Sequence, residues 1–330
     1  MSAPRRALVA DLAQALRDLV APLLGSHAGR SHASAGHGGD VTFAIDAEAE
    51  ALLAGFVAAH APSLAFYSED RGLVTPADGD AEAVLVVDPI DGTRPAMAGF
   101  EAACVSVALA PLRDGAPLDS SGPTMGDVTF GCVVEIKSGA RFLAERGGGL
   151  ESTAPVSLSS NTLLERLFWT YGFRGRPARE LVEVLGELID ASSVGGATFD
   201  LGSACFDMTR VLTGQLDAYV DPGPLMIERV PAVRTAFERV GHGRVLNNSP
   251  YDLAAATLCL REGGAIVSDA AGRPLDDRPL LGAGVDYQMS VLASANSVLH
   301  ERLRHSLDEG IERLRAIVPP PSGASLTRGD

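Results

Sequence analysis

Apolar residues recur at helical spacing over residues 3–25 and again over 45–60, each run with a polar opposite face, which predicts two amphipathic helices. Between them lies "SHAGRSHASAGHGG", a Gly/Ser/His-rich loop whose His32 and His37 read as solvated. Short apolar runs of strand length follow at 64–67, 83–88, 103–111, 127–136 and 140–145. The last two are separated by "KSGA" and read as a hairpin. After "GGGLESTAPV" (147–156) the pattern changes to alternation: strands near 166–171, 217–221, 265–268 and 289–293, with helices over 177–190, 203–213, 229–240, 252–263 and 297–316. Consecutive strands first and alternating elements later predict an α+β half followed by an α/β half. The expected organisation is therefore 1–150, 151–318 and a tail, 319–330, with the composition of disorder. No internal repeat is visible.

Composition narrows the function classes. A hydrophobic content of 46% supports a packed core, and no run has the apolar length of a bilayer-spanning helix. The N-terminus starts basic and turns apolar, but Asp11, Arg17 and Asp18 interrupt it at helical spacing, which fits a first helix of a cytoplasmic protein rather than a signal peptide. The four cysteines (Cys104, Cys132, Cys205, Cys259) are scattered without a C-x-x-C pair, so neither a disulfide framework nor a zinc site is expected. Formal net charge is −15, with Lys137 the only lysine. Such a chain repels nucleic acid and membranes, and phosphorylated metabolites too unless cations or arginines intervene.

Carboxylates gather where apolar elements end. "GGDVTFAIDAEAE" contains Asp40 and Asp46, the latter placed as a helix N-cap; "LAFYSEDRG" ends a strand with Glu69 and Asp70. "VLVVDPIDGTRPAM" closes a buried strand with Asp88 and Asp91, and "NNSPYDLAAATLCLREGGAIVSD" opens an Ala-rich helix near Asp252, again at an expected N-cap. Asp-Pro and Gly are ordinary turn formers, so a plain strand-end turn is one reading of Asp88–Gly92. The other is a cation site, since Mg²⁺ takes oxygen ligands and a few carboxylates suffice. An aspartyl-phosphate route through a D-x-D-G-T motif is excluded, because Pro89 stands where the nucleophile would be.

"DPIDGT", preceded by "SED" and followed far downstream by "YDLAAATLCLREGGAIVSDAAGRPL", resembles the inositol monophosphatase family of Mg²⁺-dependent, lithium-sensitive phosphatases, over most of residues 5–316. The resemblance implies a layered αβαβα sandwich, a homodimer, and hydrolysis of a small phosphate monoester by in-line attack of an activated water without a covalent intermediate. It implies two or three Mg²⁺ ions held by Glu69, Asp88, the Ile90 carbonyl, Asp91 and Asp252, with Glu69, Thr93 and Asp46 as catalytic residues. Asp91 and the Gly92 and Thr93 amides would hold the phosphate, and Gly202, Ser203, Ala204 and Asp221 the rest of the substrate. The form G-D-x-T-x-x-x-D is closest to the branch with combined inositol-phosphate and fructose-bisphosphate activity. Departures include "RPAMAGF" after Thr93 and a long 222–250 segment, in which Arg229, Arg234, Arg239 and Arg244 meet a second phosphate, form a subunit contact or line a solvated amphipathic helix, the last being the plainest. Fructose-1,6-bisphosphatase, histidinol-phosphatase and 3′-phosphoadenosine 5′-phosphate phosphatase activities are the rival enzymes. A catalytically silent sugar-phosphate binder is the rival outside catalysis.

Overall fold

The computed structural model describes residues 2–26, 32–35, 41–77, 79, 81–112, 117–119 and 121–318; the expected disordered tail, His37 and Asp40 lie outside them. In chain order the elements are α1 (Ser2–Val20), β1 (His32–Ala35), β2 (Val41–Phe43), α2 (Ala44–His60), β3 (Ala65–Ser68), β4 (Gly72–Val74) and β5 (Ala83–Asp91). Next come α3 (Thr93–Ala98), β6 (Cys104–Pro111), β7 (Phe130–Glu135), β8 (Arg141–Glu145), β9 (Gly149–Ser152) and β10 (Phe168–Tyr171). The remainder is α4 (Ala178–Ser192), β11 (Ala197–Phe199), α5 (Ala204–Leu212), β12 (Ala218–Asp221), α6 (Gly223–Arg229), α7 (Arg234–Val240), α8 (Pro250–Glu262), β13 (Ile266–Ser268), β14 (Val291–Ser294) and α9 (Ser297–Ile317).

A seven-stranded sheet runs β4-β3-β5-β6-β7-β8-β9 and a five-stranded one β11-β10-β12-β14-β13, beside a small β1-β2 ribbon. Every residue of β5 is buried, because both faces of the large sheet are covered. Val84 and Val86 pack on one side with Cys205, Met208 and the Ala-rich α8. Leu85 and Val87 pack on the other with Val9, Leu12 and Leu16 of α1 and Leu53 of α2. The α5/α8 layer also meets Tyr219, Val291 and Ala293 of the second sheet. The outer face of that sheet, with Trp169, Val220 and Leu292, is covered by α4 and α9. The result is a layered αβαβα arrangement, the fold class expected from the sequence. Close approach of α8 depends on Gly131 in β7, where a Cβ would stand 2.9 Å from the Ala255 carbonyl oxygen.

Several expected boundaries move. The first helix stops at Val20 and gives way to a short 3-10 turn containing Pro22. The helix expected over 229–240 is broken: α6 ends at Arg229, a turn holds Pro231, and α7 starts at Arg234. Proline lacks the N–H that a continuing helix needs and clashes with the preceding turn. The short β4 and β11, and β9 at the edge of the first sheet, were not anticipated, since three or four residues show no usable alternation. The four cysteines are buried and unbridged. Among the described residues no helix is long and apolar enough to cross a membrane.

Candidate functional site

Asp88 and Asp91 are three residues apart, which in a regular strand would send them to opposite faces. Register supplies the correction. Asp88 pairs with Ser106 and Asp91 with Cys104, so three steps on β5 face two on β6, which is a one-residue bulge at Pro89–Ile90. Both carboxylates therefore lie on the face toward α5 and α8. The Ile90 amide donates to Asp88 Oδ1 at 2.9 Å within the bulge. Gly92 then turns the chain with φ +91°, where a Cβ would fall 2.5 Å from the Ala102 carbonyl oxygen and 2.8 Å from Ser203 Cβ.

Asp252 comes from the other half. It is not the N-cap of α8: Ser249 is, and Asp252 occupies the third helical position of a capping box, its Oδ2 accepting the Ser249 amide at 2.5 Å. One oxygen of each of Asp88, Asp91 and Asp252 lies within 4.8 Å of the others. Burial raises all three acids; Glu69, Asp91 and Asp252 raise Asp88 further, whereas hydrogen bonds from Cys205 and Ser203 partly offset the rise at Asp91. For Asp252, burial and then Asp91 push the pKa up to about 7. Glu69, at the β3–β4 turn, is raised by burial first and then by Asp252 and other acids around it. Hard oxygen donors that repel one another in a low-dielectric pocket fit a divalent cation.

Asp46 also departs from its expected place. α2 begins at Ala44, so Asp46 lies in the first turn rather than at the N-cap, and its Oδ1 stands 3.2 Å from Thr93 Oγ1. The Thr93 hydroxyl is equally close, 3.1 Å, to the Ile90 carbonyl oxygen. Ser203 is the N-cap of α5, and its hydroxyl donates to Asp91 Oδ2 at 2.7 Å, as does the Cys205 amide at 2.5 Å. Gly202 and Ala204 line the same cavity as the acids. Asp221 stands beneath the cavity wall with no exposed surface: it is ion-paired to Arg176 and accepts from the Gly223 amide (3.0 Å) and Asn248 (2.8 Å). It reaches the cavity only through Arg176 and Asn248, which do line it.

The cavity has a volume of about 390 Å³, ample for a small metabolite. Its positive groups were missed in the sequence. Arg94, Arg174 and Arg176 line it, whereas Arg229 pairs with Glu228 and Arg234 with Glu238, and none of Arg229, Arg234, Arg239 and Arg244 is on its wall. The signal was "FRGRPAR" directly after a strand, two arginines one residue apart at a strand end.

Comparison with known proteins agrees with this architecture. A family model described as the inositol monophosphatase family matches residues 5–312. A "Fructose-1,6-bisphosphatase/inositol-1-monophosphatase" of Methanothermobacter thermautotrophicus is 26% identical over 303 residues, 90% of this chain and 94% of the relative. A protein named "Nus factor SuhB" of Vibrio cholerae is 26% identical over 81% of this chain and 82% of its own. Among solved structures, an inositol monophosphatase from Anabaena (Nostoc) superposes with a TM-score of 0.62 at 20% identity, covering 96% of both chains, which is a likeness of fold.

Proposed function

Since the chain belongs to the inositol monophosphatase family, we propose that it is a phosphoric monoester hydrolase for a small phosphorylated metabolite and that Asp88, Asp91, Asp252, Glu69 and the Ile90 carbonyl hold its cations. The observation that carries this reading is the convergence of Asp88, Asp91 and Asp252 oxygens within 4.8 Å at the wall of the 390 Å³ cavity. We take the cation to be Mg²⁺, two or three ions, and the assembly to be a homodimer, on the strength of the family resemblance, and the location to be cytoplasmic. Bound there, the ions supply Lewis acidity, lowering the pKa of a water and offsetting charge on the phosphate.

The chain's own residues do the rest. The Thr93 hydroxyl, between Asp46 and the Ile90 carbonyl, orients the attacking water together with Glu69, which takes its proton. The water oxygen bonds phosphorus as the bond to the leaving oxygen breaks, and that oxygen takes a proton from solvent water and departs as the alcohol. The Gly92 and Thr93 amides, at the αL turn that opens α3, hold the phosphate. Ser203 and the Cys205 amide fix the Asp91 rotamer, and Gly202 and Ala204 bound the space for the leaving group. Asp221 acts on the substrate through Arg176 and Asn248. The test is phosphate release from sugar, inositol and nucleotide phosphates, with Mg²⁺ and with EDTA. Mg²⁺-dependent release supports the reading, and the ranking of substrates selects the branch. Absence of release from every ester by folded protein that binds Mg²⁺ favours the silent binder.

A further inference from the structure

Of the buried residues of α2 (Ile45, Ala49, Glu50, Leu53 and Val57), only Glu50 is charged. An acid there is costly unless it is bonded, and hydrophobic packing alone does not call for it. Glu50 is 4% exposed, and burial raises its pKa while Ser68 and the Asp70 amide lower it. Ser68 Oγ donates to Glu50 Oε2 at 2.8 Å, the Asp70 amide donates to Oε1 at 3.3 Å, and Arg71 Nε lies 3.4 Å from Oε2. Ser68 and Asp70 are the immediate neighbours of Glu69. One carboxylate therefore grips the chain on both sides of Glu69 without touching it.

Asp46, the partner of Thr93, lies four residues before Glu50 on the same helix. Residues four apart share a face and are separated by about 6 Å along the axis. We infer that Glu50 is a positioning residue for Glu69, and that a single turn of α2 sets the spacing between Glu69 and Thr93. This rests on the roles proposed above for those two residues. The helix is a bracket: Asp46 holds one arm of the water-orienting pair and Glu50 the other.

The test compares wild type with Glu50→Ala, Glu50→Gln and Ser68→Ala. Three quantities are read: the calorimetric dissociation constant for Mg²⁺, the Mg²⁺ concentration giving half-maximal phosphate release, and KM for the ester at saturating Mg²⁺. Loss of a group that orients a metal ligand typically weakens metal binding about 10–100-fold, and Glu50→Ala is expected to do so with KM near wild type. Glu50→Gln keeps the length and the acceptor for Asp70, so it restores most of the affinity. Ser68→Ala, which removes one of the contacts, shifts affinity the same way by less, and it takes the place of Glu50→Ala should that variant not fold. Unchanged Mg²⁺ affinity in the folded variants, or Glu50→Gln as impaired as Glu50→Ala, overturns the bracket. A wild type that binds no Mg²⁺ overturns the proposed function itself, and the bracket with it.

Discussion

Four mutually repelling acids in one pocket make the metal-free protein less stable at the pH where they ionise, and Mg²⁺ should reverse this. Asp252 gives the magnitude. Its pKa of about 7 against an ordinary 3.8 means that the folded chain retains a proton between roughly pH 4 and 7 that the unfolded chain has released. Metal-free stability from this group therefore rises as pH falls from 7 to 4, and the penalty is complete above 7. The difference corresponds to about 4 kcal/mol at most, a ceiling because Asp88 shares the proton. For a chain of this length the entropy of unfolding is about 0.7 kcal/mol per kelvin, so the ceiling is about 6 °C in Tm. His300, buried between Ser268 and Ser294 with its pKa lowered by that burial, works the other way: it costs stability as pH falls below 6.5. It is common to wild type and Asp252→Asn, so it cancels in their difference. Thermal unfolding at pH 6 and pH 8, with Mg²⁺ and with EDTA, is the assay. In EDTA, Asp252→Asn should exceed wild type by several degrees at pH 8 and by less at pH 6. With Mg²⁺, wild type should gain more at pH 8 than at pH 6, and the variant, which keeps Glu69, Asp88 and Asp91, should gain less than wild type at pH 8. An Asp252→Asn variant no more stable than wild type in EDTA at pH 8 would refute the reasoning.

Three further outcomes follow from individual residues. Asp91→Asn keeps an oxygen for the Ser203 hydroxyl and the Cys205 amide, so Tm should hold while kcat falls at least about 100-fold; near-wild-type kcat removes Asp91 from the metal set. Gly92→Ala forces a side chain into φ +91° and against the Ala102 carbonyl, and should cost about 2–4 kcal/mol in denaturant unfolding along with activity. Arg176→Met leaves Asp221 buried and unpaired, a loss of about 3–5 kcal/mol, most of which Arg176→Met combined with Asp221→Asn should recover.

Much of this was legible because chemistry and burial coincide in short stretches. The Val/Leu run of β5 could be read as a buried strand, and its terminal Asp-Pro-Ile-Asp-Gly as a turn with convergent acids. The bulge that makes them converge was not legible, since it exists only in the register with β6. The same limit hid the Arg176–Asp221 pair and the Ser203–Asp91 bond, which are tertiary contacts between residues far apart in the chain. Asp46 and Asp252 were each placed at an N-cap because Asp favours that position. In both helices the start lies upstream, and the acid faces the site from the first turn. Pro231, by contrast, was visible and should have ended the expected 229–240 helix.

The α5/α8 layer has a consequence for how the chain is made. Ala65, Val84, Val86, Cys104 and Val133 form an apolar sheet face whose cover, residues 204–212 and 250–262, emerges from the ribosome only after the sheet is complete. During synthesis that face is bare, the kind of surface that holds chaperones or draws aggregation. Asp252 arrives on the same helix that closes it. The acidic pocket therefore acquires the last of its four acids only when the nascent sheet is covered, so completing the pocket and closing the core are one event.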